Sequence, residues 1–169
     1  TLGVGGNPLA VASADLNRDG RLDVVATNSA DDTLSVLLGN GDGTFQEQVA
    51  YNTGLWPTAV SVVDVDGDGK RDLVAANYNG NVSVLLGKGD GTFQPQIVYG
   101  AGDHLNWMAV GDFDGNGKAD IVVANSADSA ISVLLNTPPV QAGPTYTIDR
   151  TAPLAPTIVS IAENAGGGI

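Results

Sequence analysis

The chain has 169 residues, 43% of them hydrophobic, a formal charge of −12 and no cysteine. Disulfides, thiolate metal sites and cysteine nucleophiles are therefore excluded. The 7 Lys and Arg residues, set against 19 Asp and Glu, form no cluster, so nucleic acid is excluded as a partner, and no apolar run approaches the about 18 residues that a membrane-inserted helix needs.

Taken in order, the chain repeats itself. The first repeat has Pro8, then AVASAD, DLNRDGRLD (15–23), DVVATN, a turn with Asp31 and Asp32, TLSVLLG, the turn GNGDGTF and QEQVAYNTG. The second has Pro57, AVSVVD, DVDGDGKRD (64–72), DLVAAN, a two-residue hairpin turn predicted at Asn79 and Gly80, NVSVLLG, GKGDGTF and QPQIVYGAG. The third has Leu105 in place of the proline, MAVGD, DFDGNGKAD (112–120), IVVAN and AISVLLN, and then stops without the GDGTF turn. The first Asp of each loop recurs at spacings of 49 and 48 residues, a period that marks a blade array or propeller. The short apolar runs with turn signals between them predict strands, four per complete repeat.

The third repeat thus lacks a fourth strand. Residues 1–3 align with residues 50–52, the end of such a strand, so the N-terminal segment is expected either to complete the last blade or to be the remnant of a longer array. From residue 138 the composition changes. Five of the eight prolines lie between 138 and 156, which predicts an extended tail with one or two lone strands, at 145–149 and 157–161. The abrupt start predicts a trimmed or mature piece. The division expected is therefore blades over 1–54, 55–104 and 105–136, followed by a Pro-rich linker and terminal strand segment over 137–169.

The three nine-residue loops carry the chemistry. Each reads D-x-[DN]-x-[DN]-G-x-x-D, with side-chain oxygens at positions 1, 3, 5 and 9 and glycine at 6. Alternate side chains pointing inward, with a main-chain carbonyl at position 7, wrap a hard cation such as Ca²⁺. A helical calcium hand is excluded: position 12 holds Ala26, Ala75 and Val123 rather than Glu, and strands flank the loop. The ninth-position residues Asp23, Asp72 and Asp120 are expected to replace that Glu as closing ligands. The loops hold three, four and three carboxylates, ten of the 19 acidic residues, so three bound Ca²⁺ would halve the formal charge. The glycine-rich GDGTF turns are not phosphate cradles, since a strand rather than a helix follows each.

The unit D-x-[DN]-x-[DN]-G-x-x-D-[LIV]-V-x-A-N…SVLLGxGDGTF resembles the FG-GAP-like (VCBS) repeat over residues 1–136. That resemblance implies an all-β fold of three consecutive four-stranded antiparallel propeller-type blades, as in the integrin α-chain head, with Ca²⁺ in the loop between the first two strands. The ligands it implies are Asp15, Asn17, Asp19, the carbonyl of Arg21, and Asp23; then Asp64, Asp66, Asp68, the carbonyl of Lys70, and Asp72; then Asp112, Asp114, Asn116, the carbonyl of Lys118, and Asp120. Family propellers usually have seven such blades, and this chain has fewer than three complete ones. The tail TIDRTAPLAPTIVSIAENAGGG resembles the junction that opens a bacterial Ig-like adhesin domain.

The function expected is a calcium-stabilised extracellular structural or adhesive module, not an enzyme. Every clustered carboxylate belongs to a loop, the single histidine, His104, has no partner pattern, and no nucleophile motif occurs. The expected partner is the chain itself, in a head-to-tail fibre held by a tail strand on the open edge of the third blade. The alternative is glycan or protein binding through exposed aromatics, with Trp56, Trp107, Tyr51, Tyr78 and Tyr99 as candidates. A catalytic part in polysaccharide degradation is a remoter alternative. Asn81 opens the sequon Asn-Val-Ser and is a candidate glycosylation site.

Overall fold

The computed structural model describes residues 1–137 and the backbone of residues 158–161. Twelve strands build three antiparallel four-stranded sheets, and the described residues contain no helix. The first sheet is β1 (Pro8–Ala14), β2 (Asp23–Asn28), β3 (Thr33–Leu37) and β4 (Val49–Asn52) in that order. The second repeats the order with β5 (Pro57–Val63), β6 (Asp72–Asn77), β7 (Asn81–Leu85) and β8 (Ile97–Gly100). The third is β9 (Leu105–Gly111), β10 (Asp120–Asn125), β11 (Ala130–Asn136) and β12 (Ile158–Ile161). Each nine-residue acidic loop joins the first and second strands of its sheet, as expected.

Packing follows the period of two along each strand. Val25, Leu34 and Val36 of the first sheet bury against Leu73, Ala75, Leu85 and Phe93 of the second. The alternate residues of the second sheet, Val74, Ala76, Val82 and Val84, bury against Leu105, Ile121, Val123 and Leu134 of the third. The middle sheet is therefore covered on both faces. The leading strands β1, β5 and β9 lie beside one another, so the sheets stack as consecutive blades of an open, unclosed array.

Three expectations are corrected. Residues 1–4 form no strand, so they do not complete the last blade. The fourth strand of the third sheet comes instead from the tail: Ile161 pairs with Leu134 and Ile158 with Asn136. The strand expected at 157–161 is thus not alone: it pairs with the open edge of its own β11. The hairpin at Asn79 and Gly80 has three loop residues rather than two. Asn77 faces Asn81, the Gly80 N–H donates to Asn77 O at 3.0 Å, and of the three loop residues Gly80 alone has positive φ, the geometry of a type I turn closed by a left-handed residue. The strand expected at 145–149 and most of the Ig-like junction lie outside the described residues.

Candidate metal centres

The three loops share one hydrogen-bond scheme. The first-position carboxylate caps the loop from within: Asp15, Asp64 and Asp112 accept the N–H of Gly20, Gly69 and Gly117 at 2.8 to 2.9 Å. These glycines all have φ of +82°, the left-handed turn expected of position 6. Position 3 accepts the N–H of position 5, with Asn17, Asp66 and Asp114 receiving Asp19, Asp68 and Asn116 at 3.1 Å. Position 5 accepts the N–H of position 7 in turn, from Arg21, Lys70 and Lys118 at 2.8 to 2.9 Å. A left-handed residue also occupies position 4, as Gly67, Gly115 and, unexpectedly, Arg18 with φ of 63°. Arg18 turns its guanidinium outward to donate to Gly69 O at 2.6 Å, so the strained residue ties the first loop to the second.

The ninth position is different. Asp23, Asp72 and Asp120 are at most 1% exposed. One oxygen of each accepts the position-2 N–H, from Leu16, Val65 and Phe113, at 2.8 Å. The other accepts the N–H at the end of the third strand, from Gly39, Gly87 and Asn136, at 2.7 to 2.8 Å. Each carboxylate therefore staples its loop to the adjacent end of the third strand. Spacing alone could not reveal that second bond, which is made 15 or 16 residues away.

Carboxylate oxygens converge in two of the loops. Atoms of Asp64, Asp66 and Asp72 lie within 4.8 Å of one another, as do atoms of Asp112, Asp114 and Asp120. In the first loop Asn17 replaces the middle carboxylate, and no such triad forms among Asp15, Asp19 and Asp23. Asp68 stands apart from its triad, because its Oδ2 accepts the Lys70 ammonium at 2.6 Å. Asp19 is likewise drawn to Arg21, 3.7 Å away. Among the described residues no Lys or Arg pairs with either triad.

Electrostatics mark the second triad most strongly. Burial pushes the Asp72 carboxyl up to about 6, the charges of Asp66 and Asp64 push the same way, and the N–H groups of Gly87 and Val65 oppose them. Burial also raises Asp66, with the neighbouring Asp68 and Asp64 charges adding to it. In the third loop the Gly117 N–H holds Asp112 below the usual carboxylate range. Oxygen-only donors, an acidic excess and no pairing base suit a hard divalent cation, and Ca²⁺ tolerates the irregular geometry that such loops present. The residues present therefore fit calcium, best in the second and third loops.

The other candidates are scattered. Asp42 and Asp90 of the GDGTF turns each accept the N–H and the hydroxyl of Thr44 and Thr92, which caps the bend. Tyr51 meets Phe93 edge-on at 5.3 Å, and Tyr51 and Tyr99 pack against the two inter-sheet cores. Trp56 and Trp107 are 55% and 72% exposed. Trp56, Tyr78 and His104 form a row, with ring centroids 5.9 and 4.5 Å apart. His104 is a turn residue, as expected, with φ of 50° and its carbonyl accepting the Ser126 N–H. Asn81 opens β7 half-buried, and its side-chain oxygen accepts from Asn77 at 2.8 Å.

Comparison with known proteins places this geometry. The FG-GAP-like repeat matches residues 15–75 and 64–123, and the FG-GAP repeat matches residues 106–143. No curated protein matches. Among solved structures, the Tc holotoxin pore of Photorhabdus luminescens is similar over 77% of this chain and 6% of its own, with 20% identity and a TM-score of 0.51. The Vibrio cholerae (V. cholerae) biofilm matrix protein Bap1 is similar over 74% of this chain and 26% of its own, with 21% identity and a TM-score of 0.39. The chain thus spans only a small part of the structures it resembles, and the first of them shares its fold.

Proposed function

The chain belongs to the FG-GAP-like repeat family, and from that membership we propose that it is a calcium-stabilised structural module of an extracellular protein. The observation that carries this reading is the second loop. Asp64, Asp66 and Asp72 converge within 4.8 Å with no basic partner, around a carboxyl that the fold buries. Like charges held that close oppose the fold, and a divalent cation removes the opposition. Open loops of this type fill at the millimolar calcium found outside cells. Three sites are proposed, the first weakest because Asn17 supplies a neutral oxygen. The ligand sets are those of the repeat, with the position-7 carbonyls of Arg21, Lys70 and Lys118 included.

The role is architectural rather than catalytic in this reading. The clustered carboxylates are committed to cation and backbone, which leaves no acid–base pair free to act on a substrate. Calorimetric titration with calcium tests it: heat from two or three sites is expected, and the absence of binding at millimolar calcium would overturn the reading.

A second reading, ligand recognition, rests on Trp56. A bulky side chain is rarely found with φ of 53°, yet here it is held there, half-exposed and stacked in a row with Tyr78 and His104. Such a row offers an apolar face to a sugar ring or a partner's side chain. Loss of glycan-array binding in Trp56→Ala is the expected result, and an array with no hits for the intact chain would remove this reading. Glycosylation at Asn81 is a separate proposal, read by intact mass after expression in a glycosylating host.

A further inference from the structure

We propose that the second and third loops bind calcium cooperatively, coupled through the buried side chain of Asn136. The proposal rests on the calcium reading of those loops and adds a link between them. It starts from one position at the end of the third strand. Gly39, Gly87 and Asn136 occupy that position, and each donates its N–H to the closing carboxylate of its loop, Asp23, Asp72 or Asp120. In the first two sheets the position has no room for a side chain. A Cβ on Gly39 would collide with Leu22 O, and one on Gly87 with Arg71 O, in each case the carbonyl of the eighth loop residue. In the third loop the eighth residue is Ala119, and its carbonyl stands off far enough to accept the Asn136 side-chain amide at 3.3 Å. The third repeat is thus spaced for a side chain that the other two cannot hold.

That side chain joins two loops. Nδ2 of Asn136 donates to Val65 O at 2.7 Å, across the seam between the third and second sheets. Val65 lies between Asp64 and Asp66, the first and third positions of the second loop, and its own N–H donates to Asp72 at 2.8 Å. On the other side the Asn136 N–H donates to Asp120 at 2.7 Å, and the Asn136 carbonyl accepts the Asn116 side-chain amide at 3.1 Å. A continuous run of hydrogen bonds therefore connects the closing carboxylate of the third loop to that of the second. Asn136 is 2% exposed and Val65 1%. Away from water these bonds are stronger than the same bonds at the surface. The first and second loops are joined differently. Gly87 offers no side chain to Leu16, the counterpart of Val65, and the link is the exposed Arg18 guanidinium on Gly69 O, where water competes for both groups.

The run makes each loop fix part of what the other must fix. When Asp112, Asp114 and Asp120 close on a cation, Asp120 is held and Asn136 with it. Asn136 then holds Val65, and so the backbone that carries Asp64 and Asp66. Part of the ordering cost of the second loop is met before its own cation arrives, which raises its affinity. Linkage makes the effect reciprocal.

Site-resolved NMR titration of the full chain with calcium tests the coupling, with the Gly69 and Gly117 amides reporting the second and third loops. In Asp112→Ala, which disables the third loop, the second loop is expected to bind calcium about fivefold more weakly than in wild type, the lower end of the usual coupling between linked sites. Asn136→Gly keeps the N–H to Asp120 and takes the residue that the other repeats carry. In that background Asp112→Ala is expected to leave the second-loop affinity unaltered. A second-loop affinity that ignores Asp112→Ala in the otherwise wild-type chain overturns the proposal, and that comparison needs no change at Asn136. An equal loss in both backgrounds also overturns it, because Asn136 is then a structural clamp and nothing more. Calcium binding at both loops without mutual influence removes the coupling and leaves the metal reading standing, whereas no calcium response at either amide removes both.

Discussion

The ninth-position aspartates and the first- and third-position aspartates belong to the same loops but to different parts of the molecule. Asp72 is buried, and both its oxygens receive backbone N–H groups, from Val65 and from Gly87. Asp64 and Asp66 lie in the half-exposed loop, and the N–H groups they receive, from Gly67, Gly69 and Asp68, belong to the loop itself. One half of the candidate site is therefore part of the fold, and the other half is organised to meet a cation. The same division recurs in the third loop with Asp120 against Asp112 and Asp114. On the proposed reading, calcium at such a site would add stability without setting the topology.

The largest effect should come from breaking the buried half. Asp72→Ala leaves two buried N–H groups without an acceptor, which costs about 3 kcal/mol of folding free energy even in chelator. Asp64→Ala, in the same chelator, should leave the melting temperature close to wild type, because it also removes a repelling charge. Chemical denaturation of the two variants without calcium measures the contrast. Equal losses would erase the distinction between the two halves.

Proton competition sharpens it further. Asp72 sits at about 6, above its ordinary 3.8, so the ion-free fold favours its protonated form. Its contribution to stability is then fully present below the ordinary value and is lost as pH rises through about 6. Calcium reverses the sense, since the ligand must be ionised to bind. Affinity at the second loop should fall about tenfold between pH 7 and pH 5 on this account, and calorimetry at the two pH values reads it. A pH-independent affinity would show that Asp72 is not a ligand but only a staple.

Asp90→Ala should have the smallest effect. Asp90 binds only Thr92 in its own turn, and that hydroxyl and N–H hold its carboxyl below the usual range. Unchanged calcium affinity is expected, together with the least loss of melting temperature among these variants.

The loops and most of the strands were legible in the sequence because both depend on local order. Alternating carboxylates and a left-handed glycine define the loop within nine residues, and the period of two defines each strand. The staple was not legible. It depends on Gly87 N–H reaching Asp72, and nothing near either residue announces the other. The fourth strand of the third sheet was legible as a strand, but its pairing was hidden for a related reason: a proline-rich stretch separates β12 from β11, so that pairing is a matter of tertiary contact. Arg18 was passed over because left-handed backbone is ordinarily marked by glycine, as at Gly67 and Gly115. The half-buried aromatics Tyr51 and Tyr99 could not be told by spacing from the exposed Trp56 and Trp107.

Thermal melting of the full chain in millimolar calcium against chelator tests the central claim most directly. Binding to the native state alone adds stability by mass action, about 1–3 kcal/mol per site at ten- to hundredfold excess over Kd. A clearly higher midpoint is expected in calcium than in chelator, with the second loop's share of the gain abolished by Asp64→Ala. An identical midpoint in the two conditions would contradict it.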